Sequence, residues 1–302
     1  MKNRLIGDTR GNELFFFFIM GFSIVCWGFA FPLIKLSLQE LSPVSLTILR
    51  LSIVSITFLL IFILQHKTIS PLIKRDIPSI LLLGVIGLVG YHLCLNYGET
   101  QISAGAASLI IATIPIFIVI LAVVFLKEKI TTRITLGVTT SLVGVVLITL
   151  TRETIEVEYL SGAIAVLAAA IIGAWYTIFG KKLLQRYTSL SLTGYAFLLG
   201  SIGLIPLLNK RFIDEVTRLS LVGWTAVLSL AFFPTVVAYV FWYKALEMKP
   251  ASEIGVYLYF TPVISTILGI IMFNEPITPF FIIGGLLVIL GLIIVNTDRG
   301  YT

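Results

Sequence analysis

Two stretches of the chain decide its fold: IPIFIVILAVVFLKEKITTRITLGVTTSLVG at residues 114–144 and TPVISTILGIIMFNEPITPFFIIGGLLVILG at residues 261–291. Aligned at a constant offset of 147 residues, they share a proline, a glutamate, an Ile-Thr pair and two glycines. The matching positions are Pro115 with Pro262, Glu128 with Glu275, Ile130-Thr131 with Ile277-Thr278, Gly137 with Gly284, and Gly144 with Gly291. Chance alone does not account for a series of matches that all occur at one offset, so the pattern indicates an internal duplication.

The composition around these stretches is that of a membrane protein. Hydrophobic residues make up 58% of the 302 residues and charged residues only 12%, whereas soluble domains carry about 25% charged residues. An apolar run of roughly 20 residues can cross a bilayer as a helix. The sequence predicts an all-α integral membrane protein with ten transmembrane helices, at about residues 14–36, 43–64, 78–98, 103–126, 133–151, 159–180, 189–208, 221–243, 251–273 and 279–296.

The duplication divides these helices into two halves of five, residues 14–152 and 159–297. Because five is an odd number, the second half enters the membrane from the opposite side, and the repeat is inverted. With the N-terminus in the cytoplasm, fifteen Lys and Arg residues fall on the cytoplasmic side and four to six on the outer side. The positive-inside rule therefore predicts that both termini are cytoplasmic. Inverted repeats are typical of secondary transporters, whose site lies near the midplane where the halves meet.

Several motifs resemble the EamA branch of the drug/metabolite transporter superfamily. The start of the chain resembles the start of EamA proteins in Trp27-Gly28-Phe29-Ala30-Phe31-Pro32, Lys35, Ser42-Pro43 and Arg50. The end of each half resembles the repeat signature of the family, at residues 125–131 and 273–278 with the glycines that follow each. The resemblance covers residues 14–297. It implies ten helices, cytoplasmic termini, a central cavity between the halves and transport of small metabolites or drugs; many members export amino acids. The second half departs from the pattern, with no counterpart of Pro32 or Arg50 and with Tyr176 in place of Gly28.

Polar and aromatic side chains inside the predicted spans are the candidates for a solute cavity. An ionisable or polar group in a bilayer is costly and usually functional. His92 could carry a proton or hold a solute carboxylate, or it could simply make an interhelical hydrogen bond. Trp27 and Trp175 are related by the repeat and could face each other across a shared cavity, although tryptophan and tyrosine also form interfacial belts. The candidates are Trp27, Phe31, His92, Asn96, Trp175, Tyr176, Tyr239 and Tyr257.

Other residues of the pattern are expected to act on structure. Pro32, Pro115, Pro234 and Pro262 interrupt helices because proline lacks a backbone donor. Gly137, Gly144, Gly284 and Gly291 are expected to allow close helix contact. Glu128 and Glu275 are expected to bind helix N-termini or a nearby basic residue rather than a solute. Arg50 is expected to extend its charge outward to the interface; alternatively it attracts an anionic solute or pairs with Glu40.

These features favour a secondary transporter of the cytoplasmic (inner) membrane, multi-pass and working by alternating access on a small-molecule solute. Within this class we expect an exporter of amino acids or related compounds, with a sugar-phosphate or nucleotide-sugar exchanger or a drug exporter as alternatives. A membrane-embedded enzyme or a scaffold is the alternative of another class, but no catalytic motif or phosphate-binding loop is present. We expect no cofactor, no metal and no nucleic-acid partner, and no sequence feature sets an oligomeric state.

Overall fold

The computed structural model describes residues 9–126, 132–149, 157–249 and 251–296, and within these ranges it is helical and contains no strand. The helices before residue 150 are α1 (Thr9–Ser37), α2 (Pro43–Leu64), α3 (Ile77–Gly84), α4 (Tyr91–Gln101), α5 (Ala104–Ile111), α6 (Ile114–Leu126) and α7 (Thr132–Thr149). The later helices are α8 (Val157–Leu183), α9 (Ser189–Gly200), α10 (Lys210–Thr217), α11 (Leu221–Ala231), α12 (Ala238–Met248), α13 (Ala251–Gly255), α14 (Thr261–Phe273) and α15 (Pro279–Asn296).

Short segments of other helical types connect some of these helices. A π-helical segment, Val85–Gly90, joins α3 to α4, and a second one, Phe232–Val237, joins α11 to α12. Turns of 3-10 helix cover Lys74–Asp76, Ser201–Leu207 and Val256–Phe260. Because these segments keep the helical path, α3 with α4 and α11 with α12 each form one long continuous rod.

Six helical rods in the described part of the chain are long and apolar enough to cross a bilayer: Gly11–Ser37, Pro43–Leu64, Lys74–Gln101, Glu158–Leu183, Ser189–Leu207 and Leu221–Met248. Ala104–Ile118, Thr261–Phe273 and Pro279–Gly291 are apolar but shorter. Large apolar side chains such as Phe18, Leu64 and Ile271 lie exposed on the outside of the molecule. Such a surface is stable when lipid rather than water surrounds it.

Two predicted spans are broken in the structure. The span predicted at 103–126 is interrupted at Ala112 and Thr113, and the span predicted at 251–273 contains the 3-10 turn Val256–Phe260. Pro115 and Pro262 are each the second residue of the helix that follows the break. Proline has no N–H to continue a preceding helix, but it is well tolerated in the first turn of a helix, where that N–H would have no partner, so a new helix begins at these points.

The helix boundaries repeat along the chain. Each end of the segment Val85–Gly90 recurs 147 residues later in Phe232–Val237, and the same offset relates α4 to α12, α6 to α14 and α7 to α15 at both ends. The two π-helical segments are the most specific of these matches, because π-helical turns are rare. The offset of 147 residues found in the sequence is therefore also the offset of the structural elements.

Helices α7 and α15 pack against each other through the glycines of the repeat. A Cβ added to Gly144 would lie 2.6 Å from the carbonyl oxygen of Gly284, and one added to Gly291 would contact the carbonyl oxygen of Gly137. Moving each residue by 147 positions converts the first of these contacts into the second. Ser141 donates a hydrogen bond to the carbonyl oxygen of its own repeat counterpart, Val288, at 3.1 Å. This exchange of contacts is the property of an interface on a two-fold axis.

An additional short helix, α10, lies in the connection after Leu207, where no helix was predicted. Its Glu215 accepts hydrogen bonds from the backbone amide and the hydroxyl of Ser42, both at 2.9 Å, at the start of α2. In return, Glu40 accepts hydrogen bonds from the amide and the hydroxyl of Ser220, at 2.7 and 2.6 Å, at the start of α11. The connection before α11 thus supplies a carboxylate to the start of α2, and the connection before α2 supplies one to the start of α11.

Candidate functional site

A cavity lies where α1, α2, α4, α5, α8 and α12 converge, with about 830 Å³ of empty space when its open part is included. Aromatic rings form much of its wall. Trp27 meets Trp242 edge to face with ring centroids 5.3 Å apart and meets Tyr239 at 6.1 Å, and Tyr176 meets Tyr239 at 5.7 Å. A cavity with a mainly apolar wall and a few polar groups has the composition that is usual for a small-molecule site.

The π-helical segment at Pro234 supplies the polar groups of one wall. Proline cannot donate to the carbonyl oxygen of Leu230, and the hydroxyl of Thr235 donates to that oxygen instead, at 2.7 Å. The carbonyl oxygen of Pro234 accepts a hydrogen bond from the indole nitrogen of Trp27 at 2.9 Å. The segment therefore attaches α1 to the rod formed by α11 and α12.

Arg50 projects into the cavity from α2 and is only 3% exposed. Its Nε donates to the hydroxyl oxygen of Thr235 at 2.9 Å, whereas its Nη1 is buried and has no hydrogen-bond partner in the described part of the chain. A buried guanidinium with a free donor is costly until an acceptor reaches it. The expectation that Arg50 extends outward to the interface is wrong, because Thr235 of the opposite rod holds it inside; Glu40 pairs with Ser220 instead.

His92 and Asn96 lie one turn apart on α4 and are both buried. His92 Nδ1 lies 2.8 Å from the carbonyl oxygen of Leu88 in the same helix, so this bond is intrahelical and not interhelical. The His92 ring stacks on Tyr239 with centroids 6.3 Å apart, on the cavity wall. Asn96 donates through Nδ2 to Thr47 Oγ1 of α2 at 2.9 Å, beside the cavity rather than in its wall.

Glu275 closes one end of the molecule. Its Oε1 accepts a hydrogen bond from the amide of Ala104 at 2.8 Å and lies 3.1 Å from the Lys35 ammonium, and its Oε2 accepts from the amide of Gly105 at 3.2 Å. All three contacts, two with the first amides of a helix and one with a basic residue, are of the structural kind that the sequence favours over contact with a solute. We call this the Glu275 end. Glu128, its counterpart in the repeat, lies outside the described residues.

A related lysine contact occurs at the other end. Lys35, near the end of α1, also donates to the carbonyl oxygen of Ile102 at 3.3 Å, and Lys181, near the end of α8, donates to that of Lys249 at 3.1 Å. The two acceptors are 147 residues apart and the two donors 146. We call the second position the Lys181 end; the cavity thus lies between two ends that share this lysine contact.

Comparison with known families identifies this architecture. The chain matches the EamA-like transporter family twice, over residues 14–150 and 160–297. The chain belongs to the EamA-like transporter family. The match includes every residue that lines the cavity. The cavity described above is therefore the cavity of a transporter-family protein.

Relatives in this transporter family match along nearly the whole chain. An uncharacterized transporter of Archaeoglobus fulgidus is 37% identical over 93% of this chain and 98% of the relative. A probable terminal-alkyne amino-acid exporter of Streptantibioticus cattleyicolor is 30% identical over 91% of each chain. The chain also resembles a protein of known crystal structure, with a TM-score of 0.63 and 19% sequence identity. The match covers 93% of this chain and 96% of the other, which shows that the two proteins share a fold.

The EamA-type fold brings five of the eight cavity candidates together. Trp27, Phe31, His92, Tyr176 and Tyr239 line the cavity. Trp175 packs on Phe179 with ring centroids 4.9 Å apart, and Tyr257 packs on Phe16 at 5.7 Å. Trp27 and Trp175 do not face each other, because on α8 the neighbouring residue Tyr176 faces inward.

The four prolines occupy different positions in this transporter fold. Pro32 lies inside α1, and Pro234 lies inside a π-helical segment. Pro115 and Pro262 lie in the first turn of helices that follow a break, so the two apolar segments are interrupted next to these prolines.

Sequence reasoning missed Thr235, whose hydroxyl oxygen accepts the hydrogen bond from Arg50. Thr235 directly follows Pro234, so its position next to a predicted helix interruption is the signal that could have indicated it. Among the described residues, no three His, Cys, Asp or Glu side chains come together as metal ligands.

Proposed function

We propose that this protein is a secondary carrier that exports amino acids or closely related compounds by alternating access. In this proposal, ten helices in an inverted five-plus-five repeat, residues 14–152 and 159–297, cross the cytoplasmic membrane with both termini inside, and the Glu275 end faces outward. The exchanged contacts between α7 and α15 and the similar ends of the molecule support this arrangement, because two alike halves can open the cavity to either side in turn.

One observation supports the solute class: the buried Nη1 of Arg50 in the cavity has no hydrogen-bond partner among the described residues. A guanidinium binds a carboxylate through charge-assisted hydrogen bonds. The faces of Trp27, Tyr239 and Tyr176 are suited to an ammonium group through cation–π attraction and to an apolar side chain through packing. An α-amino acid carries all three groups. The exporter of S. cattleyicolor, 30% identical, is named for an amino acid, which supports the same class.

The other functions fit the cavity less well. A sugar-phosphate or nucleotide-sugar exchanger needs several cationic groups around a phosphate, whereas Arg50 is the one Lys or Arg side chain among the described residues of the cavity wall. The catalytic alternative needs a nucleophile with an adjacent base, and we do not favour it for a cavity lined mainly by aromatic and aliphatic side chains.

The test is amino-acid exchange in proteoliposomes made with purified wild type, Arg50→Gln, Arg50→Lys and the exposed control Arg218→Gln. Vesicles loaded with a radiolabelled amino-acid mixture are diluted into the same unlabelled mixture. We expect exchange by the wild type and the control, with loss of tenfold or more in Arg50→Gln, about the value of a hydrogen bond to a charged group. Arg50→Lys should keep part of the activity, because it keeps the charge but not the planar fork. Absence of exchange by the wild type contradicts the proposal.

A further inference from the structure

A second buried ionisable group interacts electrostatically with Arg50 and has no role in the solute contacts described above. Glu99 is on the last turn of α4, is 1% exposed, and neither of its carboxyl oxygens has a hydrogen-bond partner in the described ranges of the chain. Burying an ionised carboxylate without a partner is strongly unfavourable, whereas burying a protonated carboxyl group is far less so. In this arrangement of the molecule Glu99 therefore holds a proton.

The charged groups that act electrostatically on Glu99 come from three elements: Lys35 in α1, Arg50 in α2, and Glu275 after α14. The titratable Tyr91 of α4 interacts with it as well. From α8, the side chain of Val166 and the backbone of Gly162 pack against Gly98, the residue before Glu99. The titratable His92 lies two turns earlier on α4. Thus the surroundings of Glu99 contain two cations and one competing carboxylate.

Both cations already have partners. Lys35 bonds to Glu275 at 3.1 Å and to the carbonyl oxygen of Ile102, and Arg50 Nε bonds to Thr235. If Glu99 lost its proton, its carboxylate would compete with Glu275 for Lys35. Since Glu275 also binds the first amides of α5, a shift of Lys35 would weaken the connections that close the Glu275 end.

We propose that Glu99 binds and releases one proton in each transport cycle and so couples solute movement to the proton gradient. This inference rests on the proposed carrier function. The Glu99 carboxyl group gives up its proton to water that enters from the Lys181 end: the O–H bond breaks, and the electron pair stays on the carboxylate, which Lys35 then neutralises. The loss of the Lys35 contact allows the Glu275 end to open and release the solute. Uptake of a proton from water admitted at the Glu275 end restores the neutral group and allows that end to close, so one proton moves inward for each solute that leaves.

The test compares wild type with Glu99→Gln, Glu99→Asp and the exposed control Glu158→Gln in proteoliposomes that enclose a pH-sensitive dye. Two assays use the radiolabelled amino-acid mixture: exchange without a pH gradient, and accumulation driven by an imposed gradient. We expect Glu99→Gln, which is permanently neutral, to retain exchange but to lose both gradient-driven accumulation and the dye signal. Glu99→Asp should restore part of both, and Glu158→Gln should behave as wild type.

The outcomes separate the two proposals. No exchange by the wild type overturns the carrier function, whereas exchange with the same gradient dependence in wild type and Glu99→Gln overturns only the role of Glu99. A third readout needs no transport: infrared spectra of the purified proteins at neutral pH. The band of a protonated carboxyl group should be present in the wild type and absent from Glu99→Gln, and its absence from the wild type overturns the inference.

Discussion

The carboxylate of Glu275 accepts a hydrogen bond from the backbone amide of Ala104, 171 residues earlier in the chain, at 2.8 Å. The local backbone places it there. Helix α14 ends at Phe273, the next residue, Asn274, has a left-handed backbone, and the amide of Glu275 donates back to the carbonyl oxygen of Gly269. This C-terminal turn directs Glu275 onto the first turn of α5, where free amides and the helix dipole favour a negative charge.

Replacing Glu275 by glutamine should loosen the Glu275 end, because the neutral amide loses the ion pair with Lys35 and the attraction to the α5 dipole. We expect faster labelling of a cavity cysteine, Ser108→Cys, by a membrane-impermeant maleimide applied to the outside of cells. The background variant is Cys26→Ala/Cys94→Ala, since both native cysteines are free. Lys181→Met, at the opposite end, is the matched control and should not increase this labelling. Equal labelling rates with and without Glu275→Gln would refute the closing role.

Trp27 offers a comparison with its counterpart in the repeat. In Trp27→Phe the hydrogen bond from the indole to the carbonyl oxygen of Pro234 is lost, which should cost about 1 kcal/mol of stability and disturb the cavity wall. Trp175→Phe removes the same group from a ring that packs on Phe179 outside the cavity. Amino-acid exchange should fall in the first variant and stay near wild type in the second. A similar fall in both variants would show that the position of Trp27 in the cavity wall is not what makes it important for exchange.

Much of this fold could be predicted from residues that interrupt apolar segments. Pro115, Pro262 and the paired glycines led to the offset of 147, and the same offset appears in the boundaries of α6, α7, α14 and α15. Periodicity could not reveal the π-helical segments or the breaks before the two prolines, because apolar residues satisfy every type of helix in lipid. Helix α10 was missed because it is short and polar and lies within a connection.

The site was harder to predict than the fold, and the misses have physical reasons. Trp175 and Tyr176 differ by one position, which turns a side chain by about 100° around a helix, so an approximate repeat offset cannot decide which of them faces inward. Arg50 near a helix end would reach the interface if it faced lipid. It is buried because Thr235, 185 residues away in sequence, accepts its hydrogen bond, a contact that only the tertiary structure provides.

Acid should weaken the cross-connection between Glu215 and Ser42. Burial alone would raise the pKa of Glu215, but hydrogen bonds from Ser45, Ser42 and Arg211 outweigh it and lower the pKa from 4.5 to about 2. Because the folded pKa is below the unfolded one, the contribution of Glu215 to stability is present above pH 4.5 and is lost as the pH falls toward 2.

Thermal unfolding in detergent should therefore show a smaller loss of stability between these pH values for Glu215→Gln than for wild type. Glu40 requires a separate control, since its hydrogen bonds from the Ser220 hydroxyl and amide lower its pKa in the same direction. The double variant Glu40→Gln/Glu215→Gln should show the flattest pH dependence of all. An identical acid profile in wild type and Glu215→Gln would contradict the assignment.

Helices α3 and α9 cross at Gly84 and Gly200 so closely that we expect no side chain to fit at Gly84. The backbones of α3 and α9 touch there: a Cβ added to Gly84 would contact the carbonyl oxygen of Ala196 and the backbone of Gly200. Backbone atoms cannot rotate away as a side chain can, so Gly84→Ala must separate the helices, at a cost of about 1–3 kcal/mol. Gly21→Ala is the matched control, because nothing lies within 4 Å of its added Cβ. Thermal unfolding in detergent should show a lower Tm for Gly84→Ala and an unchanged or higher Tm for Gly21→Ala, since alanine favours helix over glycine. If Gly84→Ala is as stable as its control, the two helices are not held at this separation by backbone contact, and the packing of α3 on α9 must depend on the larger side chains around it.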